Sequence, residues 1–141
     1  MNELEFYDEP DPFVWRLAIR VVAMPADTNA YGDIFGGWLM SQADLAGGTV
    51  AIQAAQGRVA TIAVSEFRFL APVLVGDVVD IYARLLRVGS SSLTVEVRAW
   101  SRREPDPESR CQALEAKIVY VAIGPDGRPR PVPLSRKTIT A

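Results

Sequence analysis

Hydrophobic and polar positions alternate with a period of two over most of this chain, and one long apolar segment interrupts the alternation. The first alternating run covers residues 15–22 and predicts a strand with one face partly wet. From residue 36 to about residue 56 the apolar residues occupy nearly every side of a helix, and Gly57 is the predicted stop. After the helix the period returns to two and predicts four more strands, at residues 59–70, 78–88, 93–102 and 112–123.

Turn-forming residues separate these elements. Residues 24–33 predict a loop before the helix, and Gly89-Ser90 is a short hairpin signal between two of the strands. Short connections between the later strands favour antiparallel pairing. One strand, one long helix and four strands therefore predict an α+β fold, in which the helix lies across the sheet.

The predicted helix is not an ordinary amphipathic surface helix. Its polar residues form no broad charged face; they are Ser41, Gln42, Asp44, Thr49 and Gln53. The sheet can cover one side of such a helix, but a domain of this size has no second layer to cover the other side. We therefore infer a homodimer.

Asp44 is the residue in this helix that least fits an apolar environment. Its neighbours three and four residues away are Met40, Ser41, Gly47 and Gly48, so no Lys or Arg lies within one turn to pair with it. A carboxylate that is buried and locally unpaired costs stability unless something satisfies it. Asp44 is therefore either a catalytic carboxylate or a structural one that accepts hydrogen bonds from a neighbouring strand or loop.

Composition narrows the class of protein. The length of 141 residues suggests one domain, over residues 15–133, between an acidic tail at 1–14 and a C-terminal tail at 134–141. The single cysteine, Cys111, allows no intrachain disulfide, and the polar start of the chain favours the cytoplasm. No apolar run is long enough to span a bilayer, and a net charge of −2 gives no reason to expect a nucleic-acid partner.

Histidine is absent from the chain, and this absence excludes several kinds of site. No Ser-His-Asp or Cys-His arrangement is possible, and neither a histidine-rich nor an all-thiolate zinc site can form. We expect no metal. Acid–base chemistry would have to come from carboxylates, Tyr, Lys or the backbone.

Residues 24–48 resemble the acyl-CoA thioester hydrolases of the hotdog fold, in particular the small bacterial YciA-type enzymes. The pattern Asn-x-x-Gly-Asp-Ile-Phe-Gly-Gly starts at Asn29, and an acidic residue, Asp44, follows in the helix. The resemblance continues through residues 69–79, 89–93 and 113–121, and it spans about residues 15–133.

The resemblance implies a curved antiparallel sheet of five or six strands wrapped around the central helix. It also implies subunits paired through their sheets, often as a trimer of dimers, with an acyl-CoA substrate bound at the dimer interface and no separate cofactor. In this family the acidic helix residue acts with the loop asparagine across the interface. Each site would therefore take Asp44 from one subunit and Asn29 from its partner.

Thioester hydrolysis needs a base or nucleophile and stabilisation of an oxyanion. Asp44 can act as a general base on water or attack directly to form an anhydride, and the sequence leaves both routes open. Asn29 can orient water or bind the substrate carbonyl, unless it is only a turn residue. The backbone amides of Gly36 and Gly37, at the helix start, can hold the oxyanion, unless the two glycines serve only close packing.

Coenzyme A contacts are predicted at two places. Its phosphates can bind at the hairpin, through Arg87, Gly89, Ser90 and Ser91. Other basic residues are alternatives for the same role; they are Arg68, Arg102, Arg103 and Lys117. The resemblance implies that the pantetheine arm follows an exposed strand edge, with Val64, Ser65 and Phe67 as contacts. Phe69 can form a wall of the substrate tunnel, unless it serves only core packing.

Two other functions compete with hydrolysis. A hotdog domain that only binds or senses acyl-CoA has no need of a catalytic carboxylate. A hotdog dehydratase or hydratase generally uses histidine, which this chain lacks. Both considerations favour the hydrolase.

Overall fold

The computed structural model describes residues 11–134; the predicted tail residues 1–10 and 135–141 lie outside the described part. The chain forms one long helix and five strands, as the period of the sequence predicts. The elements are β1 (Arg16–Val22), α1 (Gly36–Ala55), β2 (Val59–Phe69), β3 (Val78–Val88), β4 (Ser92–Arg102) and β5 (Cys111–Ala122). Each predicted boundary lies within one residue of the observed one.

The five strands form one curved antiparallel sheet in the order β1-β3-β4-β5-β2. The predicted hairpin joins β3 to β4, since Val88 lies opposite Leu93. β2 does not pair with β3, the next strand in sequence. It lies at the far edge of the sheet beside β5, and the register of this pair shifts twice, between Thr61 and Ala63 and between Val64 and Glu66.

The core lies between α1 and the inner face of the sheet. The largest fully buried side chains come from the three central strands and one helix residue; they include Tyr120, Ile81, Leu85, Leu93, Leu114, Ile118 and Val50. Phe13 also lies in this core, and the amide of Leu85 donates to the carbonyl of Pro12 at 2.7 Å. The packed part of the chain therefore includes Pro12 and Phe13, which precede the predicted domain start at residue 15.

The helix is covered on one side only within the single chain. Ala43, Ala46, Val50 and Ala54 face the sheet and are buried. In contrast, Leu45 and Ile52 are 59% and 50% exposed. Burial of exposed apolar side chains like these is a driving force for association.

The outer face of the sheet carries ion pairs between neighbouring strands. The buried carboxylate of Asp80 accepts from Nε of Arg20 at 2.5 Å and also pairs with Arg102. Burial alone would raise the pKa of Asp80, but the hydrogen bonds and charges of Arg20 and Arg102 outweigh burial and hold that pKa below its ordinary value.

The C-terminal segment of the described chain holds the end of the helix. Nη2 of Arg130 donates to the carbonyl of Ala55 at 2.8 Å, and Nε of Arg130 donates to the carbonyl of Ile123 at 3.3 Å. The amide of Val132 donates to the carbonyl of Ser90 at 2.9 Å. A cation at a helix C-terminus also complements the partial negative charge of the helix dipole.

Candidate functional site

Asp44 lies in the third turn of α1, where its side chain faces the edge strand β2. The hydroxyl of Thr61 donates to Oδ1 of Asp44 at 2.7 Å. The apolar residues around Asp44 in the sequence predict that it is fully buried. In the single chain it is only half-buried. The next residue on the helix, Leu45, is 59% exposed, so this side of α1 is uncovered in the single chain.

A second hydroxyl holds the backbone at the same residue. Tyr120 is 1% exposed, and its hydroxyl donates to the backbone carbonyl of Asp44 at 2.8 Å. Burial first, and the Asp44 carboxylate second, raise the pKa of Tyr120 well above its ordinary value. Tyr120 therefore stays protonated and acts as a hydrogen-bond donor.

Neither Thr61 nor Tyr120 is among the site residues that the sequence predicts. Thr61 lies opposite Tyr120 in the β2–β5 register, at the point where both strands face the helix. Thr61 is exposed in the single chain, so no local signal indicated that its hydroxyl has a hydrogen-bond partner. The identity of that partner depends on how the helix crosses the sheet, and residue spacing does not report this.

Asn29 lies in the exposed loop that precedes the helix. Its Oδ1 accepts from the amide of Tyr31 at 2.8 Å and from the amide of Asp33 at 3.2 Å. These two bonds fix the amide orientation, so that Nδ2 remains to donate elsewhere. The turn role and the catalytic role are therefore compatible, because each uses a different end of the side chain.

One chain alone does not join Asn29 to Asp44 by a hydrogen bond within residues 11–134. The side chain of Asn29 bonds inside its own loop, and the carboxylate of Asp44 bonds to Thr61. Tyr31, beside Asn29, is 91% exposed. The loop therefore presents an aromatic side chain outward in the single chain.

Gly36 and Gly37 begin the helix, and no hydrogen bond within residues 11–134 engages their amide N–H groups. A Cβ at residue 36 would lie 3.1 Å from the ring of Phe69, and a Cβ at residue 37 would lie 2.6 Å from the ring of Phe35. Close packing therefore accounts for both glycines. The amide N–H groups of both residues remain unpaired at the positive end of the helix dipole. An anionic oxygen is favoured at such a position.

An open apolar cavity of about 380 Å³ lies beside the helix start. Its lining comes from the end of the loop, the first turn of α1 and the segment after β2; the residues are Ile34, Gly36, Leu39, Phe69, Leu70, Ala71, Pro72 and Val73. Phe69 is 56% exposed, and its ring meets the ring of Phe67 edge-on at 4.8 Å. An apolar acyl chain suits such a lining.

The other predicted contacts on β2 lie along the edge of the sheet. Val64 is 40% exposed, Ser65 falls at the second register shift, and Phe67 is half-buried against the core. The Ser65 hydroxyl donates to the carbonyl of Lys117 at 3.2 Å. The strand therefore offers an exposed edge, as the resemblance implies.

The predicted phosphate cluster lies at the opposite end of the helix from the glycine pair. Arg87, Gly89, Ser90 and Ser91 come together at the β3–β4 turn, which is tied through Val132 to the segment that holds Ala55. A helix of this length spans about 30 Å. Within one subunit the turn and the cavity are therefore separate places.

All four alternative basic residues already have carboxylate partners. Arg68 pairs with Glu115 at 3.1 Å, Arg103 with Asp77 at 3.3 Å and Lys117 with Glu66 at 3.5 Å, while Arg102 pairs with Asp80 and Glu104. Arg87 is exposed and has no ion pair within the described residues. Of these five residues, Arg87 alone has its charge available for an anionic ligand.

The family model of the thioesterase superfamily matches residues 31–107. The chain belongs to the thioesterase superfamily. The resemblance inferred from residues 24–48 is therefore confirmed.

Individual relatives of this superfamily cover most of the chain. The acyl-CoA thioester hydrolase YciA of Salmonella typhimurium is 50% identical over 121 residues, which are 84% of this chain and 90% of that protein. A hexameric thioesterase from Yersinia pestis is 49% identical with a TM-score of 0.80, and the match covers 85% of this chain and 97% of that one.

A hexameric hotdog fold thioesterase of Campylobacter jejuni is 37% identical with a TM-score of 0.77, over 82% of this chain and 89% of that one. The predicted hotdog fold is confirmed.

Two further properties concern membranes and metals. No helix within residues 11–134 is long and apolar enough to cross a bilayer. The same residues contain no group of three or more His, Cys, Asp or Glu side chains arranged to hold a metal ion.

Proposed function

We propose that this chain is an acyl-CoA thioester hydrolase with Asp44 as its reactive carboxylate. The observation that carries the proposal is the Asp44–Thr61 pair on the uncovered side of α1. An apolar cavity and two unpaired amides lie at the start of the same helix. The relatives of the chain are named for the same reaction, and their sequences match nearly the whole domain.

In the general-base route, Asp44 takes a proton from water while the oxygen of that water attacks the thioester carbonyl carbon. The carbonyl electrons move to oxygen, and the amides at a helix start stabilise the resulting oxyanion. Because Gly36 and Gly37 lie about 11 Å along the axis from Asp44 of the same helix, the helix start of the other subunit would supply these amides. Collapse of this intermediate breaks the C–S bond, releases the CoA thiolate, which is protonated to the thiol, and leaves the free acid. Water, the carboxylate and the hydrogen-bond donors suffice, so the proposal includes no cofactor.

In the covalent route, Asp44 attacks the thioester carbon itself, and water then hydrolyses the anhydride. The Thr61 bond to Oδ1 leaves Oδ2 as the reactive oxygen in either route. Single turnover in ¹⁸O-labelled water separates the routes when the label appears in Asp44, because only an anhydride that water attacks at the aspartyl carbon labels the enzyme.

The working unit in this proposal is a dimer built through the edge strand β2. Ile62 and Val64 on that strand are 59% and 40% exposed, and Leu45 and Ile52 extend the apolar surface onto the helix. Pairing of two such edges would cover the exposed side of α1 and bring the loop of one subunit to the helix of the other. Nδ2 of the partner's Asn29 would then bind the substrate carbonyl or the attacking water.

The dimers would assemble further into hexamers, as the relatives from Yersinia pestis and Campylobacter jejuni do. Arg87 and the turn at Gly89, Ser90 and Ser91 are the proposed contacts for the CoA phosphates. We place the protein in the cytoplasm because its proposed substrate is an intracellular thioester and its one cysteine forms no intrachain disulfide.

A hydrolysis panel from acetyl-CoA to palmitoyl-CoA tests the proposal. We expect release of CoA by the wild-type protein and a loss of about two to four orders of magnitude in kcat for Asp44→Ala, the range for removal of a general base. Binding of acyl-CoA without turnover by the wild-type protein would favour the non-catalytic binding domain instead.

A further inference from the structure

Tyr120 is a core residue whose side chain reaches the backbone of the helical turn that carries Asp44. It comes from β5, it is almost fully buried, and its hydroxyl donates to the carbonyl oxygen of Asp44 at 2.8 Å. In an α-helix that carbonyl ordinarily accepts only from the amide four residues later. The additional bond ties the helix to the sheet at the residue that performs the chemistry.

Gly47 provides the space for this bond. A Cβ placed at residue 47 would lie 2.5 Å from the hydroxyl oxygen of Tyr120, a distance that real side chains do not tolerate. A Cβ at Gly48, the next residue, would approach Tyr120 no closer than 3.9 Å, which is ordinary contact. Glycine destabilises a helix interior relative to alanine, so its presence at residue 47 is best explained by the hydroxyl of Tyr120.

Tyr120 and Thr61 form a cross-strand pair, and both donate hydrogen bonds to Asp44. The two residues are opposite each other across β2 and β5, and Thr61 binds the carboxylate while Tyr120 binds the main chain of the same residue. A carboxylate held only at its oxygen can still move with its helix. Fixing the main chain as well defines the position of the carboxylate relative to the sheet.

We propose that Tyr120 is a positioning residue for Asp44 and that Gly47 exists to admit its hydroxyl. The inference rests on the proposed hydrolase function. Tyr120 itself takes no part in proton transfer, because its hydroxyl is enclosed by the core and its donor is committed to the carbonyl. The raised pKa of this hydroxyl agrees with a purely donating role.

Four variants test the proposal: Tyr120→Phe, Gly47→Ala, the double variant, and Gly48→Ala as the matched control. Removal of the hydroxyl should lower kcat by about tenfold, the size of one neutral hydrogen bond, while KM for acyl-CoA stays within about twofold. Gly47→Ala should lower kcat at least as much, because the new methyl group displaces the hydroxyl. Gly48→Ala should keep the wild-type kcat.

The double variant separates positioning from general damage to the core. In Tyr120→Phe the clashing oxygen is gone, and the nearest ring carbons to a Cβ at residue 47 lie 3.3 Å away. Adding Gly47→Ala to Tyr120→Phe should therefore cost little further kcat, although the same change is costly in the wild-type background. Equal losses in the two backgrounds would overturn the role given to Gly47.

A wild-type kcat in Tyr120→Phe, or a rise in KM without a fall in kcat, would overturn the role given to Tyr120. If Gly47→Ala fails to fold, comparison of Tyr120→Phe with the foldable double variant still decides the point. A wild-type protein with no hydrolase activity would contradict the proposed function, an outcome distinct from each of these.

Discussion

The hydroxyl of Thr61 donates to Oδ1 of Asp44 at 2.7 Å, and this bond joins the edge strand β2 to the helix α1. It links a strand with little covered surface of its own to a helix that is covered on one side only. Thr61 and Asp44 thus lie where a second subunit would dock, and the carboxylate is already oriented before that subunit arrives.

The Thr61 hydroxyl should matter for turnover. We expect Thr61→Ala to lower kcat by about tenfold, because the carboxylate loses the donor that fixes its rotamer. Thr61→Ser keeps a hydroxyl and should retain most of the activity. Steady-state kinetics of both variants check this expectation.

Thr49→Ala is the matched control for Thr61→Ala, since Thr49 also donates a helix-associated hydrogen bond, to the carbonyl of Ala46 at 2.8 Å. It should leave kcat unchanged. Equal losses in Thr49→Ala and Thr61→Ala would contradict a specific role for Thr61.

A site shared between subunits should allow complementation. Asp44→Ala and Asn29→Ala are each expected to be nearly inactive alone, because each removes one half of every site. Their mixed dimers contain one intact site, so random mixing should restore about a quarter of the wild-type activity. Coexpression followed by purification of the total protein through one tag carried by both chains measures this recovery, and no recovery would place Asn29 and Asp44 in the same subunit's site.

The edge strand β2 should carry the dimer contact. Ile62→Lys introduces a charge at an exposed position of this strand, and charges on an edge strand oppose pairing. We expect a smaller assembly by light scattering and a parallel loss of hydrolysis. Leu17→Lys, on the opposite edge strand β1, is the control; dissociation by Leu17→Lys but not by Ile62→Lys would place the contact at β1.

Asp80 should make stability depend on pH in the acid range. Its pKa is lower in the folded protein than in the unfolded chain, so it contributes stability above the unfolded pKa and loses it as the pH falls through the folded pKa. Asp80→Asn lacks this contribution. Urea midpoints should therefore show a variant that is less stable than wild type at pH 7, with a gap that narrows towards pH 3; a constant gap would contradict the linkage.

The helix and the strands are predicted closely by the sequence, because the hydrophobic positions in each element recur with a clear period. The helix is predicted at residues 36–56 and observed at Gly36–Ala55, and its exposed face agrees with the predicted need for a partner. The place of β2 at the sheet edge does not follow from any local pattern. It depends on the crossing of the chain from β2 to β3, which local hydrophobicity does not encode.

Only part of the candidate site could be predicted, because local patterns do not encode which distant residues the fold brings together. Asp44 was recognisable because a lone carboxylate in an apolar helix is unusual within its own segment. Thr61 and Tyr120 follow it by 17 and 76 residues, and only the packed sheet brings them to it. The close approach of Tyr120 to Gly47 likewise exists only in the packed structure.

The C-terminal segment has a practical meaning for protein engineering. Arg130 holds the last turn of the helix and Val132 holds the β3–β4 hairpin, so deletions that remove these two residues would loosen two elements that are distant in sequence. Affinity tags or fusion partners placed after residue 134 leave both bonds in place. The region to preserve in a shortened version of this protein therefore extends beyond its last strand, at least to Val132.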